Sequence, residues 1–389
     1  MSDRSGNVKL GARVAMIGAG PLARMTHQAA IDYGIVFHVL ASSPHDPAVT
    51  AGAAFTIGRY NSYSDLLVAA TQGDVVTFEH DFVPIALLRA LARSGHRLRP
   101  AAQALAISHD NLTTRRLFSN LGHLSIPMAN FAPACIEADA AVFGANNGWP
   151  VVLKAMNPSG SDHDAQILDT PDDARRLLPK TCNNAEPAWV LEEYLDLAVE
   201  FTVLVARRPS GEITCYPPIG KNRSASGRSE VIIPAPLPAV TAATASRLAE
   251  SIISGINGTG ICAVEFFWTA DNRLILNKLS LRPHNSGYIT MEACATSQFH
   301  QHLRAALDWP LGSTELRSAA ATVSIIGGSA ALDSHARLIA AMAIPGTTIH
   351  LYGNDPRPGE QLGHVTALAS TTDDALELAR SASELLTQP

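Results

Sequence analysis

The sequence predicts an α/β protein built from more than one domain, and three observations support this fold class. The chain has 389 residues, more than a single ordinary domain contains. Its N-terminal part alternates short apolar strands with helical patterns, the order typical of a parallel sheet covered by helices. From about residue 318 onward, three strand patterns precede a final helix, which predicts a small β-rich domain at the C-terminal end.

The N-terminal pattern consists of strands and helices in turn. ARVAMIGAGPLARMTHQAA predicts a strand, a glycine turn and a helix. FHVLASS predicts the second strand, and DVVTFE (residues 74–79) predicts the third. VPIALLRALARSG then predicts a helix.

The rest of the chain predicts a second α/β region and the β-rich tail. HDNLTTRRLFSNLG predicts an amphipathic helix that ends at Gly122, and WPVVLKAM and AWVLEEYL predict strands. EFTVLVARR and GEITCYPP predict an antiparallel hairpin, which VTAATASRLAESIISGI follows as a helix. A second hairpin, GICAVEFFWTADNRLILNKLS, turns at Asp271 and Asn272. The tail strands are ATVSIIGG, GTTIHLYG and GHVTALAS, and the last helix is DDALELARSASELL.

The composition excludes several classes of protein. Apolar residues make up 47% and charged residues 16%, which excludes global disorder. The net charge of −6 and the absence of a basic block give no reason to expect nucleic-acid binding. The five cysteines are scattered, so we expect reduced thiols. The N-terminus MSDRSGNVKLGAR is polar and no run of 18 apolar residues follows it, so we expect a cytoplasmic protein without a membrane partner.

A glycine turn follows the first strand. The residues from Gly18 to Ala23 fit the pattern GxGxxA of dinucleotide-binding domains, and a helix N-terminus suits a phosphate or another anion. That pattern also requires an acid at the end of the second strand to bind a ribose. Here the strand ends Ala41-Ser42-Ser43. The sequence therefore favours a tight turn over a nicotinamide or flavin site.

Several segments in order resemble the ATP-grasp superfamily, and within it the carboxyaminoimidazole ribonucleotide synthases (PurK). The resemblance covers almost the entire chain and rests on IGAGPLARM, DVVTFEHDFVP, HDNLTTRRLF, VVLK, LEEYLDLAVEFTVLVAR, AVEFFWTADNRLILN, LRPHNSGY, ATSQFHQHLRAALDWPLG and HLYGNDPRPGEQLGHVT. It implies an ATP-grasp fold with an N-terminal pre-ATP-grasp domain at 1–110, an ATP-grasp domain at 111–315 with a lid at about 125–205, and a C-terminal domain at 316–389. It also implies a homodimer that activates bicarbonate with ATP for attack by an amine.

The resemblance also assigns roles to residues of this chain. Nucleotide contacts are implied for Arg99, Arg115, Lys154, Glu192, Glu193, Tyr194, Leu195, Glu200 and Asn277. A magnesium ion would be held by Glu265, and the reacting groups would meet Arg282, His284 and Asn285. Lys278 is a further catalytic candidate that the family lacks, with two alternative roles: its ammonium neutralises phosphate oxygens, or it pairs with Glu265 and closes the site. Contacts with the small-molecule substrate are implied for Gly20, Pro21, Leu22, Glu79, Asp162 and Ser286. Asn354 and Glu360 occupy substrate positions at which the family has other residues, and Glu360 with Asp355 favours a cationic or hydroxylated acceptor.

The chain departs from the family pattern at three places that affect the chemistry. Lys278 stands after Asn277 where the family has a glutamate, which replaces a metal ligand by an ammonium and makes magnesium binding doubtful. The glycine loop, which resembles GGYDGKGQ in the family, is SGSDHDAQ at residues 159–166. In the tail, phosphate-binding lysine and arginine positions are occupied by Asn354, Glu360 and Gln361.

These departures leave four hypotheses. The first is an ATP-grasp ligase that activates bicarbonate or an organic acid for an amine other than the usual phosphorylated aminoimidazole ribonucleotide. The second is a protein that binds a nucleotide or metabolite without ATP turnover, and the third is an enzyme that no longer uses ATP. The fourth is an ordinary carboxyaminoimidazole ribonucleotide synthase. ADP release with a panel of amines distinguishes the first from the second.

Overall fold

The computed structural model describes residues 11–120, 126–156, 165–181, 187–223, 228–327, 335–353, 357 and 359–387. The chain forms two compact units. The first contains the described residues of Met1–Ala104, Phe201–Val264 and Ser280–Pro389, and the second contains those of Leu105–Glu200 and Glu265–Leu279. Each unit has its own buried apolar core.

The N-terminal part of the first unit is a parallel sheet covered by helices, as predicted. The strand order is β3-β2-β1-β4, with β1 (Arg13–Ile17), β2 (Val36–Ala41), β3 (Ala54–Ile57) and β4 (Val75–Phe78). The helices are α1 (Pro21–Asp32), α2 (Pro47–Thr50), α3 (Tyr63–Ala70) and α4 (Ile85–Arg93), and α5 (Ala102–Ser108) crosses the boundary between the two units after Ala104. The sequence analysis does not predict β3, α2, α3 or α5. Strand β3 is a short edge strand with a mostly exposed pattern, which gives no clear periodicity.

The carboxyl ends of these four strands lie at one edge of the sheet. Gly18 follows β1, Ser42 follows β2, Gly58 follows β3 and Glu79 follows β4. Ligands of open α/β sheets bind at this edge, next to the strand where the chain changes direction across the sheet. Here that strand is β1, which has β2 on one side and β4 on the other.

The second unit contains an antiparallel sheet with helices packed against it. It begins with α6 (Asn111–Asn120) and continues with β5 (Phe131–Ala134), α7 (Glu137–Asn147), β6 (Val151–Ala155), β7 (Ala165–Leu168), α8 (Pro171–Leu177) and β8 (Trp189–Glu193). The strand order is β5-β8-β6-β7, and every adjacent pair is antiparallel. Helix α8 begins at Pro171, and the Asp173 carboxylate in its first turn accepts hydrogen bonds of 2.9 Å from the backbone N–H and the hydroxyl of Thr170.

The rest of the chain supplies long strands and the β-rich tail. Its strands are β9 (Leu197–Arg207), β10 (Ile213–Cys215), β11 (Ile219–Arg223), β12 (Ser229–Ile233), β13 (Gly260–Thr269), β14 (Leu274–Ser280), β15 (Ala319–Ile326), β16 (Thr347–Leu351) and β17 (Gln361–Ala369). Its helices are α9 (Ala239–Gly255), a 3-10 helix (Asn285–Ile289), α10 (Thr290–Ala293), α11 (Gln298–Ala306), α12 (His335–Met342) and α13 (Thr372–Thr387). In the tail, β15 and β16 both pair antiparallel with β17, which confirms the predicted β-rich C-terminal part.

Two further expectations concern the whole chain. Cys135, Cys215, Cys262 and Cys294 are free thiols, as predicted for these four residues, while Cys182 lies outside the described residues. None of the helices in the described part of the chain is both long enough and apolar enough to cross a lipid bilayer.

Candidate active site

A buried ion cluster forms in the second unit around Glu192. Its carboxylate lies between two cations, because Lys154 Nζ is 2.7 Å from Oε2 and the guanidinium of Arg115 pairs with Oε1. Register explains the arrangement: Val152 of β6 pairs with Glu192 of β8, so Lys154 lies close along the neighbouring strand. Arg115 and Glu192 are each only 4% exposed. These charges are therefore only weakly screened by solvent.

Asn277 of β14 completes this cluster. Lys154 Nζ donates to Asn277 Oδ1 at 3.0 Å, and Arg115 Nη2 donates to the carbonyl oxygen of Asn277 at 3.2 Å. Burial lowers the pKa of Lys154, and the charge of Glu192 opposes this effect. Two cations lie beside the carboxylate of Glu192, and the buried Glu265 also attracts Lys154. The two cations suit an anion. The structure thus brings together four of the residues for which nucleotide contacts are predicted.

The predicted adenine-binding segment follows β8. Glu193 N donates to Asn130 O at 3.0 Å, and its side chain accepts hydrogen bonds from Asn130 Nδ2 at 3.2 Å and Arg273 Nη1 at 3.4 Å. The strand ends there, so the backbone of Tyr194 and Leu195 leaves the sheet. Tyr194 is 47% exposed, whereas Leu195 is buried. The adenine contact remains a prediction.

The donor set around Glu265 does not fit a magnesium ion held by the protein. Glu265 is buried on β13, but the amide oxygen of Asn277 already accepts a hydrogen bond from Lys154. The next residue is Lys278, whose ammonium repels a cation. The described residues contain no group of three His, Cys, Asp or Glu side chains arranged to hold a metal. Magnesium prefers several oxygen ligands, often two or more from carboxylates and phosphates.

In the first unit, Glu79 occupies the N-terminus of α1. Its carboxylate accepts backbone hydrogen bonds from Gly20 at 2.6 Å, Leu22 at 3.1 Å and Ala23 at 3.2 Å. A Cβ atom at Gly20 would lie 2.7 Å from Glu79 Oε1, so only glycine allows this approach. Burial raises the pKa of Glu79, and these backbone hydrogen bonds oppose the rise. The sequence analysis predicts that the glycine turn at the start of α1 suits a phosphate or another anion. In the structure the Glu79 carboxylate occupies this position, and Pro21 has no N–H to donate.

The loop after β14 is held by hydrogen bonds within the first unit. Arg282 Nε donates to Asp81 Oδ2 at 2.8 Å. Gln298 clamps the backbone of His284, donating to its carbonyl at 2.7 Å and accepting from its N–H at 3.0 Å. Asn285 is exposed at the start of the 3-10 helix, and Ser286 is buried. The three polar groups predicted to meet the reactants, Arg282, His284 and Asn285, thus project from a rigid loop.

A cavity of about 530 Å³ lies beside the glycine turn, lined on one side by Gly20 and Pro21 and on another by Glu360. His45, Asp46 and Arg357 also line it, and the sequence analysis did not identify them as site residues. Asp46 lies in a short turn after β2. The sequence analysis looked for an acid only at the end of that strand and therefore did not identify Asp46.

The predicted contacts Asp162 and Asn354 lie outside the described residues. Arg99 donates to the Leu98 carbonyl at 3.2 Å, and Glu200 is half-buried on β9.

Comparison with known families gives three matches in order along the chain. Residues 12–109 match the ribonucleotide synthetase preATP-grasp domain, and residues 119–299 match the ATP-grasp domain. Residues 320–378 match the phosphoribosylaminoimidazole carboxylase C-terminal domain. The predicted ATP-grasp resemblance is confirmed.

Individual relatives are similar over nearly the full chain. The N5-carboxyaminoimidazole ribonucleotide synthase of Mycobacterium bovis is 36% identical over 378 residues, which span 96% of this chain and 87% of the relative. The corresponding synthase of Synechococcus elongatus is 32% identical over 380 residues, or 96% of this chain and 94% of the relative. A crystal structure of the Aspergillus clavatus N5-carboxyaminoimidazole synthase with ADP and 5-aminoimidazole ribonucleotide has a TM-score of 0.85 and 27% identity, covering 97% of this chain and 99% of that one.

Proposed function

Because the chain belongs to the N5-carboxyaminoimidazole ribonucleotide synthase family of ATP-grasp proteins, we propose that it is an ATP-dependent carbon–nitrogen ligase. The γ-phosphoryl group of ATP passes to a carboxylate oxygen, which releases ADP and forms an acyl phosphate. An amine then attacks the carbonyl carbon of this mixed anhydride, and inorganic phosphate leaves. The family resemblance favours bicarbonate as the carboxylate. The single structural observation that supports this proposal is the buried Lys154–Glu192–Arg115 cluster, in which two cations meet at one carboxylate.

Aminoimidazole ribonucleotide is the acceptor that the comparisons support best. Relatives with this activity in their name align with 96% of the chain, and a similar structure holds ADP and 5-aminoimidazole ribonucleotide. The comparisons therefore favour the ordinary synthase over the hypothesis of a different acceptor.

The residues of the chain suggest how the phosphate groups are held. Glu192 keeps Lys154 and Arg115 together in the interior, where two unpaired cations would repel each other. An incoming triphosphate offers both cations additional acceptors, and such preorganised charges stabilise a transferring phosphoryl group. When it is bound, ATP supplies the phosphoryl group that is transferred.

The loop after β14, in the first unit, contributes by holding its polar groups in a fixed orientation. Asp81 holds the Arg282 guanidinium by a hydrogen bond. The side-chain amide of Gln298 holds both the N–H and the carbonyl oxygen of His284. Groups that are already held in place do not lose conformational freedom when they meet a substrate. We assign to Arg282 the binding of an anionic reactant and to His284 and Asn285 the hydrogen bonding of the acceptor.

The proposal is tested by measuring products as well as ATP consumption. Purified protein is incubated with ATP, magnesium chloride, labelled bicarbonate and aminoimidazole ribonucleotide, and both ADP and the carboxylated product are quantified. We expect equal amounts of the two, and a loss of at least about 100-fold in Lys154→Met because a phosphate-binding cation is removed. Lys180→Met is the matched control, since Lys180 is exposed and lies outside the cluster. Absence of ADP and of carboxylated product with folded protein, both with aminoimidazole ribonucleotide and with its unphosphorylated ribonucleoside, contradicts the ligase proposal.

A second candidate is the same reaction with an unphosphorylated amine. The cavity beside the glycine turn favours it, because its described lining residues include two carboxylates, Asp46 and Glu360, and one arginine, Arg357. Acidic walls disfavour a phosphate and favour a cationic or hydroxylated acceptor. Faster ADP release with aminoimidazole ribonucleoside than with its 5′-phosphate supports this candidate, and the reverse order rejects it.

A further inference from the structure

Gln361 lines the cavity beside the glycine turn, at one of the tail positions where the chain departs from the family pattern. Its side-chain Nε2 atom donates to the carbonyl oxygen of Gly363 at 3.3 Å and to the hydroxyl oxygen of Tyr352 at 3.3 Å. A carbonyl oxygen only accepts hydrogen bonds, so the nitrogen end of the amide must face Gly363. The surroundings of Gln361 therefore fix the orientation of its amide.

A buried hydrogen-bond chain continues from Gln361 into the interior of the first unit. Because the Tyr352 oxygen accepts from Gln361, its hydroxyl hydrogen is directed to His364, whose Nδ1 atom lies 2.9 Å away. Burial lowers the pKa of His364 well below 6.5, and the charge of His350 lowers it further, so the His364 imidazole is neutral. A neutral ring that accepts at Nδ1 carries its proton on Nε2. The donors thus follow one direction, from Gln361 through Tyr352 to His364.

The two inner members of this chain are held firmly. Tyr352 is 1% exposed, His364 is fully buried, and Arg24 Nη1 donates to the carbonyl oxygen of Tyr352 at 3.3 Å. The rings of Tyr288 and His350 stack on His364, with centroid distances of 4.5 Å and 4.6 Å. In the part of the chain described, the Nε2 atom of His364 has no hydrogen-bond partner, which is rare for a buried polar atom. The orientation of this ring therefore depends on ring packing and on the Tyr352 hydroxyl.

The chain determines which end of the Gln361 amide is offered to a ligand. Both hydrogens of Nε2 are used by Gly363 and Tyr352, so the amide offers its oxygen, a hydrogen-bond acceptor. A hydroxyl group donates to such an oxygen, whereas an ionised phosphate has only acceptor oxygens. The lysine and arginine that the family has at such tail positions would instead supply charged donors to a phosphate.

We propose that Gln361 is a specificity-determining residue for the acceptor, and that Tyr352 and His364 are positioning residues that keep its amide oxygen toward the ligand. Rotation of the amide would turn its NH₂ group to the ligand, and the intact chain prevents this. The chain therefore favours an acceptor with a hydroxyl group over one with a phosphate. The inference rests on the proposed function, because the acceptor has to lie in this cavity.

Calorimetric titration of the whole protein with aminoimidazole ribonucleoside and with its 5′-phosphate tests this inference. Saturating ADP is present and ATP is absent, so no turnover is needed. In Tyr352→Phe, the dissociation constant of the ribonucleoside divided by that of the 5′-phosphate should rise roughly tenfold, because the released amide can donate to the phosphate. Tyr216→Phe is the matched control: its hydroxyl is lost from another buried tyrosine, which donates to Thr296 O at 2.8 Å, and the ratio should not change.

A double-mutant cycle distinguishes positioning from a general structural effect. Gln361→Met keeps the length of the side chain without its amide, and adding Tyr352→Phe to it should change the ratio by less than about twofold. Variants at the inner end of the chain give an independent measurement. His364→Asn keeps a hydrogen-bond acceptor near the Nδ1 position and should stay close to the wild type, whereas His364→Leu should resemble Tyr352→Phe.

Three results would overturn the inference: an unchanged ratio in Tyr352→Phe, an equal shift in Tyr216→Phe, or the full shift in the Gln361→Met background. Lack of saturable binding of both ligands by the folded wild-type protein overturns it as well. Because binding is measured without turnover, a protein that shows the expected ratios but releases no ADP contradicts the ligase proposal and still supports the positioning role.

Discussion

The ammonium of Lys154 lies 2.7 Å from the carboxylate of Glu192 in the interior of the second unit, and Arg115 holds the other oxygen of the same carboxylate. Buried ions lose their hydration, so each charge depends on the others for compensation. Glu192 is the centre of this arrangement. Removing it leaves two cations facing each other, whereas removing either cation leaves one ion pair intact.

This asymmetry predicts that Glu192→Gln is more destabilising than Lys154→Met. We expect Glu192→Gln to lower the free energy of unfolding by about 3–5 kcal/mol, the usual effect of leaving a buried charge unpaired. Urea unfolding of the two variants measures the difference. Glu193→Gln is the neighbouring control and should cost about 1 kcal/mol or less, since its partner Arg273 is half exposed. Equal losses for Glu192→Gln and Glu193→Gln would contradict the role given to the cluster.

The lowered pKa of Lys154 predicts how nucleotide affinity depends on pH. Its native pKa lies below the ordinary lysine value of 10.5, so the ammonium is lost at a lower pH than in an exposed lysine. The affinity for ADP should be highest below the native pKa and fall as the pH rises through it. Lys154→Arg keeps its charge throughout this range, so its affinity should be lower but nearly independent of pH. A parallel decline in Lys154→Arg would assign the titration to another group.

Lys278 predicts a change in metal dependence. Lys278→Glu places a carboxylate after Asn277, near the buried Glu265 of the adjoining strand, and should strengthen ADP binding in magnesium by roughly tenfold. Lys278→Gln removes the ammonium without adding a ligand and is the matched control. The gain should vanish when magnesium is replaced by a chelator. An equal gain in both variants, with or without magnesium, would show that only charge repulsion had been relieved.

His302 predicts a loss of stability in acid. The ring is fully buried, with Nε2 2.7 Å from the Thr77 hydroxyl and Nδ1 accepting from Ile261 N, and burial lowers its pKa from 6.5 to about 3. The unfolded chain binds this proton first as the pH falls below 6.5, so stability is complete above that value and declines toward pH 3. The full linkage is of the order of 5 kcal/mol.

Urea unfolding between pH 7 and 4 measures this effect. His302→Gln should be less stable at neutral pH, and its stability should fall less steeply in acid than that of the wild type. His335→Gln removes an exposed histidine and should retain the wild-type slope. An identical slope in His302→Gln would show that other groups govern the acid transition.

The sequence predicts much of the fold because its strands and helices have clear periodicities. The strand ARVAMI, the long helix α9 and the hairpin of β13 and β14 all lie where the pattern places them. Strand β3 is missed, because only four residues form it and their exposure does not alternate. The buried ion cluster around Glu192 was partly predicted, since Arg115, Lys154, Glu192 and Asn277 lie on motifs of the family resemblance.

The sequence by itself determined the fold class, the order of the motifs and the residue types at which the chain differs from the family pattern. Local patterns and residue types are properties of the chain alone. Only the tertiary structure decided that Glu79 fills the start of α1, from 59 residues beyond Gly20. It also decided that Asp46 and Tyr60 line one cavity. Such partners meet through the pairing of parallel strands, whose contacts join distant segments, and no local periodicity encodes which side chains those contacts bring together.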